Sequence, residues 1–160
     1  MSKVNVDDIA WTVWQSPKGK FSSSFKEISA ALGATPDAPV GAGGHPFDLC
    51  IEKLAPGEVS CPFHSHAAQW ELFYILSGTG SVRLAAGSQL VRTGDAIMHD
   101  PGEVHQIKNT GKEDLLYFII ADNPPLDFCY YPDSEKYSVT KSKFKPFLRV
   151  ADVEYWGGEE

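Results

Sequence analysis

From residue 47 onward the chain alternates short apolar and polar runs, and glycine or proline interrupts them at close intervals. FDLCIEKLA (47–55) reads as a strand that stops at Pro56-Gly57, and VSCPFHSH (59–66) reads as extended chain. WELFYILSG (70–78) is a strand ended by Gly78. SVRLAAGSQLV (81–91) is a hairpin around Ala86-Gly87-Ser88, and Thr93-Gly94-Asp95 is a turn. AIMHD (96–100) stops at Pro101-Gly102, and VHQIKN (104–109) ends at Thr110-Gly111. DLLYFIIA (114–121) is the last strand and the most apolar. Strands of this length at this turn spacing predict an all-β sandwich or barrel. No long amphipathic helix separates them, which argues against alternating βαβ units.

The flanks read differently. Residues 1–46 form an N-terminal arm with a short helix, SFKEISAALG (24–33), closed by Gly33. TPDAPVGAGGHP (35–46) is a loop. Residues 122–160 carry Phe128, Tyr130, Tyr131, Tyr137, Phe144, Phe147, Tyr155 and Trp156. A disordered tail is poor in aromatics, so this C-terminal arm is expected to pack on the barrel or on a second subunit. The predicted organisation is arm 1–46, barrel 47–121 and arm 122–160, with no internal repeat.

Charge narrows the function classes. A formal net charge of -7 over 160 residues leaves no electrostatic footprint for nucleic acid or for an anionic membrane. The longest plainly apolar run, LLYFIIA (115–121), is too short to span a bilayer. The start, MSKVNVDDIA, has no apolar signal core, and the expected location is the cytoplasm. Cys50, Cys61 and Cys129 are odd in number and contain no CxxC, which argues against a disulfide framework or a thiolate metal knot. Cys50 reads as a small packed hydrophobe, and Cys61, three residues before His64, as a buried neutral thiol.

The chemistry lies in CPFHSHAAQWELFYILSGTG (61–80). Polar groups are costly to bury in such an apolar stretch unless something pairs with them. On a strand, His64 and His66 share a face. Glu71 lies at an odd offset, so it joins them only if the chain bends, and Ala67-Ala68-Gln69 is a place to bend. Beyond it, Glu71, Phe73 and Ile75 share one face, with Tyr74 on the other. His105 shares a face with Ile107 and Asn109. Three imidazoles and one carboxylate on neighbouring barrel strands can converge, and that set suits a divalent transition metal better than calcium or magnesium. His99 reads as a satisfied turn histidine and His45 as an exposed loop residue, unless the N-terminal arm brings either to the barrel mouth as an acid or base. Arg83 and Arg92 could meet a phosphate, but their hairpin pattern reads as solvated.

These residues resemble the cupins. The first cupin motif, G(x)5HxH(x)3-4E(x)6G, is matched by Gly57, His64, His66, Glu71 and Gly78, with one extra residue before His64. The second, G(x)5PxG(x)2H(x)3N, is matched by Gly94, Gly102, His105 and Asn109, with Asp100 at the proline position. The resemblance implies a double-stranded β-helix, or jelly-roll, barrel. It implies one divalent transition metal ion per chain, Zn, Mn, Fe or Ni, held by His64, His66, Glu71 and His105. It further implies a small-molecule ligand, anionic or sugar-like, and a homodimer. The leading activity is sugar or sugar-phosphate isomerisation of the mannose-6-phosphate isomerase type. The alternatives are a metal-dependent dioxygenase or decarboxylase, a non-catalytic ligand-binding cupin, or a metal that only pins the strands. The motifs supply no obvious base, and no catalytic residue is assigned.

Overall fold

The computed structural model describes residues 2–36, 38–40 and 42–140, together with the strand Phe147–Leu148. Phe144, Tyr155 and Trp156, expected to pack in the C-terminal arm, lie outside the described residues. One wall of the molecule is a six-stranded antiparallel sheet. It is built from β1 (Thr12–Gln15), β2 (Ser22–Glu27), β3 (Phe47–Leu54), β5 (Glu71–Ser77), β8 (Ala96–His99) and β10 (Leu115–Asp122). The order is β1-β2-β3-β10-β5-β8, which puts the most apolar strand, β10, between β3 and β5.

The opposite wall comes in two pieces. β6 (Thr79–Leu84), β7 (Gly87–Arg92) and β9 (His105–Lys108) form one. β4 (Ser65–His66), β11 (Asp127–Tyr131), β12 (Lys136–Thr140) and β13 (Phe147–Leu148) form the other. Single bridges between Val59 and Lys108 and between His64 and His105 join them. The two walls make a double-stranded β-helix, the jelly-roll barrel.

Alternation sorts the side chains. Phe73 and Ile75 of β5, Leu115 and Tyr117 of β10, Val82 of β6 and Ile107 of β9 point inward and form the core with Leu54 and Val91. Tyr74, between Phe73 and Ile75, is exposed, as its offset from Glu71 predicts. Gly78 ends β5 at φ +85°, and a Cβ there would sit 2.4 Å from the Asp114 carbonyl oxygen. Both the backbone angle and the space admit only glycine.

Some elements differ from the sequence expectation. The helix expected over 24–33 is confined to α1 (Ile28–Ala31), although Gly33 follows it at φ +101°. Residues 24–27 belong instead to β2, with Ser24, Phe25, Lys26 and Glu27 paired to Lys53, Glu52, Ile51 and Cys50. Backbone pairing along the open edge of β3 outweighs the weak helical pattern there. The hairpin turn lies at Ala85-Ala86, one residue earlier than expected, because Leu84 pairs with Gly87. Within 59–66 only Ser65–His66 forms a strand. β1, β2, β11 and β12 were not legible in the apolar pattern. β1 and β2 extend one wall beyond β3, and β11 pairs with β4 in the other.

Asn109 is fully buried, away from the convergence point of the histidines. Its Nδ2 donates to the carbonyls of Leu54 (2.7 Å) and Glu113 (2.8 Å), and its Oδ1 accepts from the Gly111 amide (2.8 Å). Asn109→Ala therefore leaves the backbone carbonyls of Leu54 and Glu113 and the Gly111 amide without this partner. It is expected to destabilise the barrel by about 3 kcal/mol, read as a lower urea midpoint at unchanged slope.

Candidate metal centre

The bend that the odd offset of Glu71 requires is present, and the C-terminal segment holds it. The Ala67 amide donates to the Phe128 carbonyl (2.9 Å), the Ala68 amide to Asp127 Oδ1 (2.8 Å) and the Trp70 amide to Asp122 Oδ1 (2.8 Å). Glu71 then opens β5 with its side chain inward. His64 and His105 face each other across the bridge that joins the second wall, with backbone hydrogen bonds of 3.1 and 2.8 Å. The Gly102 amide donates to the His66 carbonyl (2.7 Å) and fixes the turn before β9 against β4.

These constraints bring all four candidates together. The ligand atoms of His64, His66 and Glu71 lie within 4.8 Å of one another. His105 Nε2 lies 2.8 Å and His66 Nε2 3.8 Å from Glu71 Oε2. The His64 ring centroid is 4.7 Å from that of His105. Each imidazole also has an acceptor at Nδ1: the Pro62 carbonyl for His64 (2.9 Å), Asp127 Oδ2 for His66 (2.5 Å) and the Glu103 carbonyl for His105 (3.1 Å). A proton kept at Nδ1 leaves Nε2 as the metal donor. A metal with bonds of ~2.1 Å holds its ligands roughly 3–4 Å apart, so modest closing of this cluster would seat one. The set of imidazole nitrogens with one carboxylate oxygen fits a divalent transition ion.

The charge states of these side chains follow from burial and pairing. Burial opposes ionisation of Glu71, yet the His105 hydrogen bond and the charges of His66 and His64 pull its pKa down to about 2. Burial also opposes a charge on His66. The hydrogen bonds to Asp127 and Cys129 and the Glu71 charge outweigh it and raise the pKa to about 10. Burial dominates at His64 and lowers it to about 4. A cationic His66 thus lies beside an anionic Glu71 where the candidate ligands meet.

Asp127 was not legible as part of the site. It is 1% exposed and fixed at both oxygens, by His66 and by the Ala68 amide. The signal was the alternation in DFCYY (127–131), which turns Asp127, Cys129 and Tyr131 to one face, but the segment looked like an aromatic tail. Cys129 Sγ lies 3.3 Å from His66 Nδ1, and Tyr131 stacks on His64 at 6.0 Å. His66, Asp127 and Cys129 form a second close group of potential ligands.

The remaining candidates are placed as follows. His99 is not a turn residue. It lies on β8 opposite Glu71, 1% exposed, stacked on His105 at 3.9 Å, with Nδ1 at 3.1 Å from Glu103. Its Nε2 is buried and meets no hydrogen-bond partner among the described residues. His45 remains in the loop before β3 and meets Asn123 through its carbonyl. Cys61 approaches His64 Nδ1 at 3.7 Å, and burial pushes its thiol up to about 12, so it stays neutral. Arg83 is committed to Asp133 in a two-pronged contact of 2.7 and 2.8 Å.

Known proteins resemble this chain in sequence and in fold. The Cupin domain family matches residues 50–121. Auxin-binding protein 1 of Arabidopsis thaliana is 30% identical over 95 residues, covering 54% of this chain and 47% of that protein. The oxalate-binding protein of Thermotoga maritima is 37% identical over 68 residues, covering 42% of this chain and 55% of that protein. The chain thus spans about half the length of these curated relatives. A cupin-superfamily sugar phosphate isomerase from Silicibacter pomeroyi superposes with a TM-score of 0.74 at 19% identity, over 92% of each chain. Among the described residues, no helix is long and apolar enough to cross a membrane.

The Asp127 contact gives a two-part expectation. In the metal-free protein, the raised His66 pKa contributes stability that is complete below about 6.5 and is lost as pH rises through about 10. Asp127→Asn should flatten that alkaline loss in urea titrations. In chelator competition the same variant should bind metal ~10-fold or more weakly. Unchanged affinity and an unchanged alkaline limb would show that Asp127 does not orient His66.

Proposed function

We propose, from the premise that residues 50–121 are a cupin domain, that this protein is a metal-dependent enzyme acting on a small polar organic molecule. Sugar or sugar-phosphate isomerisation is the leading reaction. One observation carries the reading: three imidazoles, each with an acceptor at Nδ1, gather around the largely buried carboxylate of Glu71. A divalent transition metal in that pocket supplies a Lewis acid for a carbonyl or enediolate oxygen. His64, His66, Glu71 and His105 would hold it. Asp127 and the Pro62 and Glu103 carbonyls keep the imidazole protons on the far nitrogens. The fold shared with the Silicibacter pomeroyi isomerase supports the same class. A non-catalytic binding cupin is the second reading, favoured by similarity to the oxalate-binding protein.

Elemental analysis of protein purified without chelator should return about one divalent transition metal per chain, and a His64→Ala, His105→Ala double variant should lose it. Aldose–ketose interconversion, followed by NMR with sugars and sugar phosphates, should be lost in Glu71→Gln while the fold is retained. Ligand-induced stabilisation without product would select the binding reading. No metal after reconstitution would overturn both.

A homodimer belongs to the same proposal. The outer face of the six-stranded sheet exposes Phe47, Tyr74, Met98 and Ile120, on β3, β5, β8 and β10. An apolar face of this kind suits a second copy of the chain. Sedimentation should give twice the chain mass, and Ile120→Lys should halve it. A wild-type monomer at high concentration refutes the assignment.

A further inference from the structure

The inner face of the six-stranded sheet is hollow beside the metal centre. Two openings, of about 220 and 300 Å³, share Glu27, Cys50 and Ile119 in their linings and adjoin as two lobes of the hollow. One lobe reaches Ala121, which pairs with Glu71 across β10 and β5. The other reaches Cys61, whose Sγ is 3.7 Å from His64 Nδ1. The hollow therefore ends at neighbours of Glu71 and His64, one residue away from these candidate ligands.

Its lining has a definite chemistry. Trp14 and Phe25 offer flat apolar surface. Ser23 and Ser60 bring hydroxyl groups, and Glu27 and Glu52 bring carboxyls. Tyr117 donates to Glu52 Oε2 at 2.5 Å from the buried side. Burial raises the pKa of Glu52, with the charges of Glu71 and Glu27 adding to it, while hydrogen bonds from Ser23 and Tyr117 oppose the shift. Asp48 adds another carboxyl in the smaller lobe. No lysine or arginine lines either lobe among the described residues.

Three nearby cations are engaged elsewhere. Lys26 Nζ donates to the Val6 carbonyl (2.8 Å), Lys53 pairs with Asp114 (4.0 Å), and Arg83 is held by Asp133. Lys136 lines an adjoining groove, and Trp14 lines both spaces, which puts the indole at their boundary.

We propose that this hollow is the ligand site, that it takes an uncharged, hydroxyl-rich molecule of monosaccharide size, and that it rejects the phosphate ester of the same molecule. The inference rests on the metal-centre reading above and narrows its substrate class. The indole of Trp14 covers the C–H face of such a ligand. A carboxyl group accepts from hydroxyls when ionised and also donates when protonated, which suits Glu52 as a direct contact. A phosphate ester carries between one and two negative charges at neutral pH. In the hollow it would meet Glu27, Glu52 and Asp48, with no lysine or arginine in the lining among the described residues, and like charges placed together disfavour binding.

The test uses the full chain with the metal it carries on purification. Calorimetry at low ionic strength compares D-mannose and D-fructose with their 6-phosphates. The neutral sugars should bind, and the phosphates should bind about tenfold or more weakly. Trp14→Ala, on an exposed edge strand, should weaken the neutral sugars by about tenfold at unchanged metal content. Glu27→Lys, at an exposed position, should instead recruit the phosphates. Equal or tighter phosphate binding by the wild type, no binding of a neutral sugar, or a Trp14→Ala variant that binds normally each overturns the proposal. NMR of the same mixtures separates the two readings. Neutral sugar bound without conversion leaves this site standing and refutes the isomerase. Conversion of the phosphates alone supports the isomerase and overturns this site.

Discussion

A reciprocal pair of backbone hydrogen bonds between His64 and His105 joins the two pieces of one barrel wall. The residues that close the wall also present imidazoles to the site, so closing the barrel and assembling the centre are one event. The segment after His66 bends because Ala67, Ala68 and Trp70 hydrogen-bond to Phe128, Asp127 and Asp122. That bend turns Glu71 inward. A centre built on bridges and turn contacts, with only Ser65–His66 as regular strand in that stretch, depends on its neighbours to hold its geometry.

Charge in the pocket follows from burial and pairing together. Burial alone would neutralise both Glu71 and His66. They stay ionised because they face each other, and because Asp127 holds the far nitrogen of His66. His64 has the Pro62 carbonyl and the neutral Cys61 thiol at its Nδ1, and burial holds it neutral. Metal binding must displace the His66 charge, which couples the centre to the strand that carries Asp127.

The barrel does not by itself select a reaction, since function resides in the site carried by a fold. The candidate centre and the hollow near it differ in character. The centre favours oxygen donors on a cation, while the hollow beside it offers carboxyls, hydroxyls and an indole without a countercharge. A ligand bound as proposed would have to satisfy both, which would restrict substrate chemistry more than the candidate metal ligands do.

The barrel class and the four candidate ligands were legible from the chain, because strand alternation and glycine-marked turns are local. His64, His66, Glu71 and His105 also sit at recognisable motif offsets. The need for a bend before Glu71 followed from strand parity alone. Other features were decided by contacts distant in the chain. The Ser-rich segment 22–27 is a strand because β3 offers an open edge, not because of its own apolar pattern. Asp127 belongs to the centre because β11 pairs with β4, placing it beside a histidine 61 residues away. His99 is buried behind His105 because β8 pairs with β5. Local sequence determined which residues could alternate, turn and bind; tertiary pairing decided which of them meet, because the energy of a buried charge depends on the partners that folding brings to it.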